Sequence, residues 1–309
     1  MKSDVLLRNT IFAVAGNPIV SKLFRKYGMK FGVSRFVAAE SLEATVEKVR
    51  LLNEHGLMAT LDFLGESVSQ RSLAVEAAET VIRTLETIHT NKLQSNVSVK
   101  LTQLGLNLDA KLCLENMDGI VAAAEKFNNF VRIDMEDSTV TDQTLSIYRS
   151  LLLKFGVNHV GVVIQAYLYR SVKDIVNLKE DGTNVRFVKG AYKEPIEVAF
   201  PQKMDVDANY IELVKNYLLS DCYTAIATHD THIIEQLKTF IAEKKIHRSR
   251  FEFQMLYGIR SSLQKELVEQ GYRVRVYTPF GEHWYPYFTR RIAERPANLW
   301  FVVKSFLRK

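Results

Sequence analysis

The chain has 309 residues, 47% of them hydrophobic, with a formal net charge of +6. That is apolar material for one large domain or two ordinary ones, and no apolar run approaches the roughly 18 to 20 residues that cross a bilayer. The 41 lysines and arginines are scattered instead of gathered into a basic tract, so the charge does not mark a nucleic-acid binder. A weak attraction to an anionic membrane surface stays open.

Glycine and proline are sparse, at 14 and 6, and no linker-like stretch interrupts the chain, so a single compact body is expected. Two cysteines, Cys113 and Cys222, make neither a disulfide framework nor a Cys/His cluster, which fits a reducing compartment. The start, Met1-Lys2-Ser3-Asp4, lacks the long apolar core of a signal peptide. A cytoplasmic protein is expected, with peripheral membrane contact at most.

In chain order, residues 1–54 read as helical throughout, with Ser41 as N-cap of a helix over 42–54. They are expected to pack as an extension on the domain that follows, residues 55–309. From there, β-branched and apolar runs predict strands at 57–63, 97–101, 130–135, 161–166, 185–188, 224–227, 251–255 and 273–277, the last stopping at Pro279. Helical spacing predicts helices over 67–89, 110–128, 141–155, 173–181, 208–220, 231–245 and 261–270. Gly56, Gly156 and Gly271 stand between a helix and the next strand, as helix-terminating glycines do.

Strict β-then-α alternation, eight times over, implies a parallel sheet closed into a distorted (βα)8 TIM-like barrel. The competing fold, an open doubly wound sheet, usually carries GxGxxG after its first strand, and this chain has no such run.

Active sites of parallel barrels lie at the C-terminal strand ends. Each predicted strand here ends in polar residues: Asp62 and then Glu66; Lys100; Asp134; Gln165; Arg186 and Lys189; Thr228-His229-Asp230; Gln254; Tyr277. Buried charges are costly unless paired or used. One by one, each has a bland reading. Lys100 could sit at the core edge with its amine in water, and Asp134 could be half of a structural pair with Arg186. His229 and His232 invite a metal, but that spacing without a third ligand is weak, and no metal is expected.

Beyond the last strand, Arg290 and Arg291 sit on a predicted helix beside Trp284, Tyr285, Tyr287 and Phe288. Two planar guanidinium forks there suit a small carboxylic acid. The bland alternative is a solvated face with Arg290 and Glu294 four apart, worth a few tenths of a kcal/mol.

Five motifs occur in order: Ser98-Val99-Lys100-Leu101-Thr102-Gln103-Leu104-Gly105, Arg132-Ile133-Asp134-Met135-Glu136, Arg186-Phe187-Val188-Lys189-Gly190-Ala191-Tyr192, Ala227-Thr228-His229-Asp230, and the block 277–298. With them the chain resembles the monofunctional bacterial proline dehydrogenases over about residues 55–306. The resemblance implies a (βα)8 barrel with non-covalent FAD. It also implies oxidation of L-proline to Δ1-pyrroline-5-carboxylate, hydride passing from proline C5 to flavin N5.

By position, the resemblance implies that Lys100, Arg290 and Arg291 hold the substrate carboxylate, with Glu294 fixing the arginines. Tyr277 and Leu256 would pack on the ring, under an aromatic lid of Tyr277, Tyr285 and neighbours. Asp134 and Arg186 would be the active-site pair near the flavin. Met135, Gln165, Lys189, Gly190, Ala191, Thr228 and His229 would touch FAD, and Glu66 would pair with Arg290 as a gate.

The family's frequent reoxidant is a membrane quinone. Larger bifunctional members carry a second dehydrogenase domain, and this sequence stops at Lys309. A separate pyrroline-5-carboxylate dehydrogenase is therefore expected downstream. No general base stands out. The competing readings are a Schiff-base lysine lyase or aldolase on the same barrel, using Lys189 or Lys100, and a non-catalytic ligand-binding or membrane-surface protein.

Overall fold

The computed structural model describes residues 28–294 apart from Glu66, together with Lys22. Its strands are β1 (Met58–Phe63), β2 (Ser95–Val99), β3 (Val131–Ile133), β4 (Val160–Gln165), β5 (Val185–Val188), β6 (Thr224–Ala227), β7 (Phe251–Leu256) and β8 (Val274–Phe280). They pair in parallel and in sequence order, and β8 returns to β1, so the barrel is closed. Its described helices are α1 (Leu42–Glu54), α2 (Arg71–Thr90), α3 (Ala110–Lys126), α4 (Thr141–Phe155), α5 (Ser171–Glu180), α6 (Lys203–Leu218), α7 (Thr231–Glu243), α8 (Ser261–Glu269) and α9 (Tyr285–Glu294).

The eight-strand alternation predicted from the sequence is what forms. Sheets covered on both faces read as apolar runs, and β4 is buried at every position. Around the barrel the helices turn one stripe inward. On α3 that stripe is Leu112, Cys113, Met117, Ile120, Val121 and Ala124. Polar caps set the entries: Ser41 Oγ accepts from Ala44 N at 3.2 Å, and Asp109 and Asp230 cap α3 and α7.

Three expectations need correction. Strand β8 does not stop at Pro279 but runs through it, with Pro279 opposite Asp62 on β1. A proline forfeits only its own N–H, and here its carbonyl still accepts from Ala38 N at 2.9 Å. Helix α6 begins at Lys203, earlier than the predicted 208, and Lys203 pairs with Asp207 one turn on. Residues 28–40 are not α-helical. They form two short 3₁₀ turns, Gly28–Phe31 and Val33–Arg35, split at Gly32 with φ 98°, before an extended run to Ser41. The predicted helix over 1–27 lies outside the described residues, Lys22 excepted.

This irregular segment builds a second apolar core. Val33, Phe36 and Val37 pack with Leu64 and with Trp284, Tyr285, Tyr287, Phe288 and Ile292 around α9. Trp284 Nε1 donates to Glu40 Oε1 at 2.8 Å, and a Cβ on Gly28 would lie 2.5 Å from the Trp284 ring.

The barrel interior is unusually charged. Near its base, Arg275 Nε and Nη2 donate to Glu252 at 2.7 and 3.1 Å, and Tyr223 and Gln254 add donors at 3.0 and 2.5 Å. Arg132 donates to the Val162 and Asn184 carbonyls at 3.0 and 2.5 Å and to the Asn184 amide oxygen. Gly161 makes room for it: a Cβ there would lie 2.4 Å from the Asn184 carbonyl.

Burial alone would raise the Glu252 pKa, but Arg275 and the other donors outweigh it and hold the carboxyl at about 2. A depressed carboxyl stabilises the fold above its unfolded pKa, about 4.3, and that contribution fades as pH falls toward 2. Glu252→Gln is expected to cost about 3–5 kcal/mol at pH 7, because it strands Arg275 in the barrel. The loss should shrink when denaturant titrations are repeated near pH 3. An equal loss at both pH values would mean that the pair does not carry it.

Candidate active site

At the C-terminal end of the barrel, side chains from neighbouring strands meet in one hydrogen-bonded chain. Lys100, the residue after β2, donates from Nζ to both oxygens of Asp62 on β1, at 3.0 and 3.1 Å. The same Nζ reaches the Tyr277 hydroxyl at 3.2 Å and lies 3.6 Å from Asp134 Oδ2. Tyr277, on β8, donates to Asp134 Oδ2 at 2.7 Å. Asp134, following β3, takes Arg186 Nη1 of β5 on its other oxygen at 2.6 Å. Arg186 Nη2 donates to Ser98 Oγ on β2 at 2.9 Å, and Ser98 Oγ lies 3.0 Å from Thr60 Oγ1 on β1.

The cluster holds two acids and two bases and is electrically balanced. Asp62, Ser98 and Arg186 are 1%, 1% and 3% exposed, and at such depth a charge needs its partner. Burial by itself would lower the Lys100 pKa, yet Asp62 and then Asp134 outweigh it, so the ammonium is raised above the ordinary lysine value. For Tyr277, burial first and then Asp134 and Asp62 push the phenol well up, leaving it a neutral donor. The Arg186 guanidinium and the Lys100 ammonium lie 5.4 and 5.9 Å from the Tyr277 ring centroid.

Around this chain stand residues that sequence reasoning underweighted. Asp62 was noted only as a polar strand end and is the main counterion of Lys100. Glu136 is buried, raised in pKa by that burial, and accepts from Thr102 N and Oγ1 at 3.0 and 2.5 Å. Tyr192 is exposed as a residue, but burial and then Glu136 push its phenol up to about 12 while Lys100 and Arg290 pull the other way. Ser98 and Thr60 had no signal beyond lying two residues before Lys100 and Asp62.

The predicted substrate residues come together in part. Leu256 ends β7 in register with Tyr277. Arg290 and Arg291 are half-buried on α9, with the Arg291 guanidinium 5.4 Å from the Tyr287 ring. Glu294 ends α9, and its side chain and the whole of Glu66 lie outside the described residues. The aromatic lid takes another form. Trp284, Tyr285, Tyr287 and Phe288 belong to the second core, where they anchor α9 to residues 33–37. Trp284 just before α9 and three aromatics on it bury more area against a packed segment than over an open mouth.

The seven predicted FAD residues line the strand ends from β3 to β6. Gln165 is 2% exposed and donates to the Glu136 carbonyl at 2.8 Å. Lys189 pairs with Asp207 at 2.5 Å and Asp230 at 3.1 Å. Thr228 Oγ1 accepts from Asp230 N, which leaves its hydroxyl proton to donate elsewhere. His229 Nε2 accepts from Leu256 N at 2.9 Å, which puts the ring proton on Nδ1. Met135 is buried, while Gly190, at φ 113°, and Ala191 keep side-chain bulk away from the mouth. Donors beside small residues fit a polar, planar cofactor. A 650 Å³ cleft at the opposite end of the barrel, lined by Met58, Lys92, Asn129 and Arg275, contains none of these residues.

A closed parallel barrel with a balanced acid–base chain at its C-terminal strand ends, followed by a helix carrying two arginines, has the arrangement of a barrel enzyme. The family model described as proline dehydrogenase matches residues 45–304. Proline dehydrogenase 1 of Bacillus subtilis subsp. natto is 46% identical over 98% of this chain and 100% of that protein. Proline dehydrogenase of Deinococcus radiodurans is 44% identical over 99% of both chains. The crystal structure of proline utilization A from Bdellovibrio bacteriovorus, inactivated by N-propargylglycine, matches with TM-score 0.81 and 25% identity over 89% of this chain and 33% of that one. The chain belongs to the proline dehydrogenase family and is an enzyme of that class.

In Asp62→Asn the leading stabiliser of the Lys100 cation is gone while its burial stays. Lysine-selective NMR titration should show the wild-type Lys100 charged beyond about pH 10.4, the ordinary lysine value, and the variant titrating earlier. An unchanged titration would remove Asp62 as the counterion.

Proposed function

We propose that this enzyme oxidises L-proline to Δ1-pyrroline-5-carboxylate with non-covalently bound FAD, as the first step of proline catabolism. The observation that carries the reading is the Lys100–Tyr277–Asp134–Arg186 chain at the strand ends, on a sequence alike over its whole length to proline dehydrogenases.

Lys100, Arg290 and Arg291 hold the substrate carboxylate. Three cations offset one anion and fix the ring's orientation, which is a large part of what such a site can contribute to rate. Tyr277 and Leu256, adjacent in register, face the ring. Met135, Gln165, Lys189, Gly190, Ala191, Thr228 and His229 hold the FAD. When bound, the flavin supplies the hydride acceptor, at N5, for the hydrogen leaving proline C5.

Arg186 keeps a positive charge beside the flavin and so favours its reduced, anionic form. Asp134 accepts from Arg186 on one oxygen and from Tyr277 on the other, and so orients both. The substrate amine loses its proton to solvent before binding. In this reading Glu66 and Arg290 form the gate and Glu294 steadies the arginines. Electrons leave to a quinone at a membrane surface or to another acceptor, and a separate pyrroline-5-carboxylate dehydrogenase takes the product. No helix among the described residues is long and apolar enough to cross a membrane.

The Schiff-base lyase reading meets a physical obstacle here. A nucleophilic lysine must be neutral, whereas Lys100 is held as a cation by Asp62 and Asp134, and Lys189 is shared between two aspartates.

An anaerobic absorbance scan before and after adding L-proline tests the proposal. A flavin spectrum near ~450 nm should bleach with L-proline and not with D-proline or glycine. A protein that stays colourless after incubation with FAD would end the reading. Arg291→Ala should raise KM for proline by the equivalent of about 2–5 kcal/mol, and an unchanged KM would take Arg291 out of the carboxylate clamp. Potentiometry of Arg186→Met should find a lower flavin potential with proline binding largely intact, whereas an unshifted potential would place Arg186 elsewhere.

A further inference from the structure

The Arg186 guanidinium is held from two sides. Asp134 takes Nη1 at 2.6 Å, and Ser98 Oγ takes Nη2 at 2.9 Å. The first contact is charge-assisted at both ends and lies toward the site mouth. The second is directed into the barrel, where Ser98 and Thr60 are 1% and 0% exposed. An arginine only donates, so the Ser98 oxygen must accept, and its own proton can go to Thr60 Oγ1 at 3.0 Å. The Tyr277 ring, 5.4 Å from the guanidinium, adds attraction from its face but no hydrogen bond that fixes the angle. In register beside it stand Val163 on β4 and Ala225 on β6, neither with a polar side chain.

A lone carboxylate contact leaves a guanidinium able to pivot about the Nη1···Oδ1 axis. A second contact on the other nitrogen removes that freedom.

We propose that Ser98, backed by Thr60, is a positioning residue that sets where the Arg186 charge stands at the flavin edge of the site. This rests on the flavin reading above. Asp134 supplies the counter-charge and Ser98 the angle. Replacing Ser98 keeps the ion pair and the charge count of the cluster, so its effect should resemble a displaced Arg186 rather than a lost one. The hydroxyl pair belongs to two adjacent parallel strands, with Ser98 in register with Asp62 and Thr60 in register with Asn96. The backbone of the barrel thereby fixes the hydroxyls, and they fix the arginine.

The test compares Ser98→Ala, Thr60→Val and Thr60→Ser with wild type by flavin potentiometry, by steady-state kinetics with proline, and by melting of the FAD-free proteins. Ser98→Ala should lower the flavin potential in the direction of Arg186→Met. It should cut kcat by about tenfold while KM for proline stays within about twofold, because the carboxylate clamp is untouched. Thr60→Val should shift the potential the same way by less, and Thr60→Ser, which keeps the hydroxyl, should restore it. A Ser98→Ala protein that melts like wild type and keeps the wild-type potential and kcat would overturn the inference. So would a KM that rises with kcat unchanged. If Ser98→Ala does not fold, Thr60→Val against Thr60→Ser decides by the same potential. A wild-type protein that binds no flavin would instead sink the flavin reading itself, a separate outcome seen before any variant is made.

Discussion

The Asp134 carboxylate is the contact on which the site depends. It accepts from Arg186 at 2.6 Å and from Tyr277 at 2.7 Å, with the Lys100 ammonium 3.6 Å away. Without it Arg186 would lose its carboxylate partner, and Lys100 would keep only Asp62. The arithmetic of buried charge explains why Asp62 and Asp134 are matched by Lys100 and Arg186, each held at hydrogen-bond distance by another. Such a chain is rigid because moving one member strands its neighbour. Rigidity is what a site needs in order to hold a small reactant in one orientation.

Charge also shapes the barrel below. Parallel barrels are commonly filled by layers of branched aliphatic side chains. Here long charged residues enter from β3, β5, β7 and β8, and small ones, Gly161, Val163 and Ala225, stand opposite in register. Arg132 and the Glu252–Arg275 pair fill the lower interior. Two separate ion-pair systems thus occupy one barrel, the lower in its interior and the upper at the C-terminal strand ends. The same rule governs both: each buried charge is met by a counter-charge or, for Arg132, by carbonyl and amide oxygens.

The arginine helix depends on a different force. Its inward face is aromatic and apolar, and it is held by residues 33–37 through dispersion and area burial, with the Trp284–Glu40 hydrogen bond fixing one end. The segment before α1 is therefore part of how the site is built. It sets where Arg290 and Arg291 stand relative to the strand ends.

Much of this was legible from sequence, and the misses share a cause. Short β-branched and apolar runs located β5 and β6 to the residue, because buried parallel strands are largely apolar. Lys100, Asp134, Arg186 and Tyr277 were found because a charged or phenolic group at a buried strand end is locally anomalous. Ser98 and Thr60 were passed over, and Asp62 was noted only as a polar strand end, because a hydroxyl or an acid inside a strand gains meaning only from its neighbour on another strand. Pro279 misled because its cost depends on which partner its missing N–H would have met. The aromatics of α9 misled because their composition says that they will be buried and not against what. The sequence alone determined the alternation, the closed count of strands and the residue types at their ends, all of which are local properties of pattern and burial. Only the tertiary structure decided which acid meets which base, which face of α9 is buried and how Arg186 is held, since each is a distance between strands far apart in the chain.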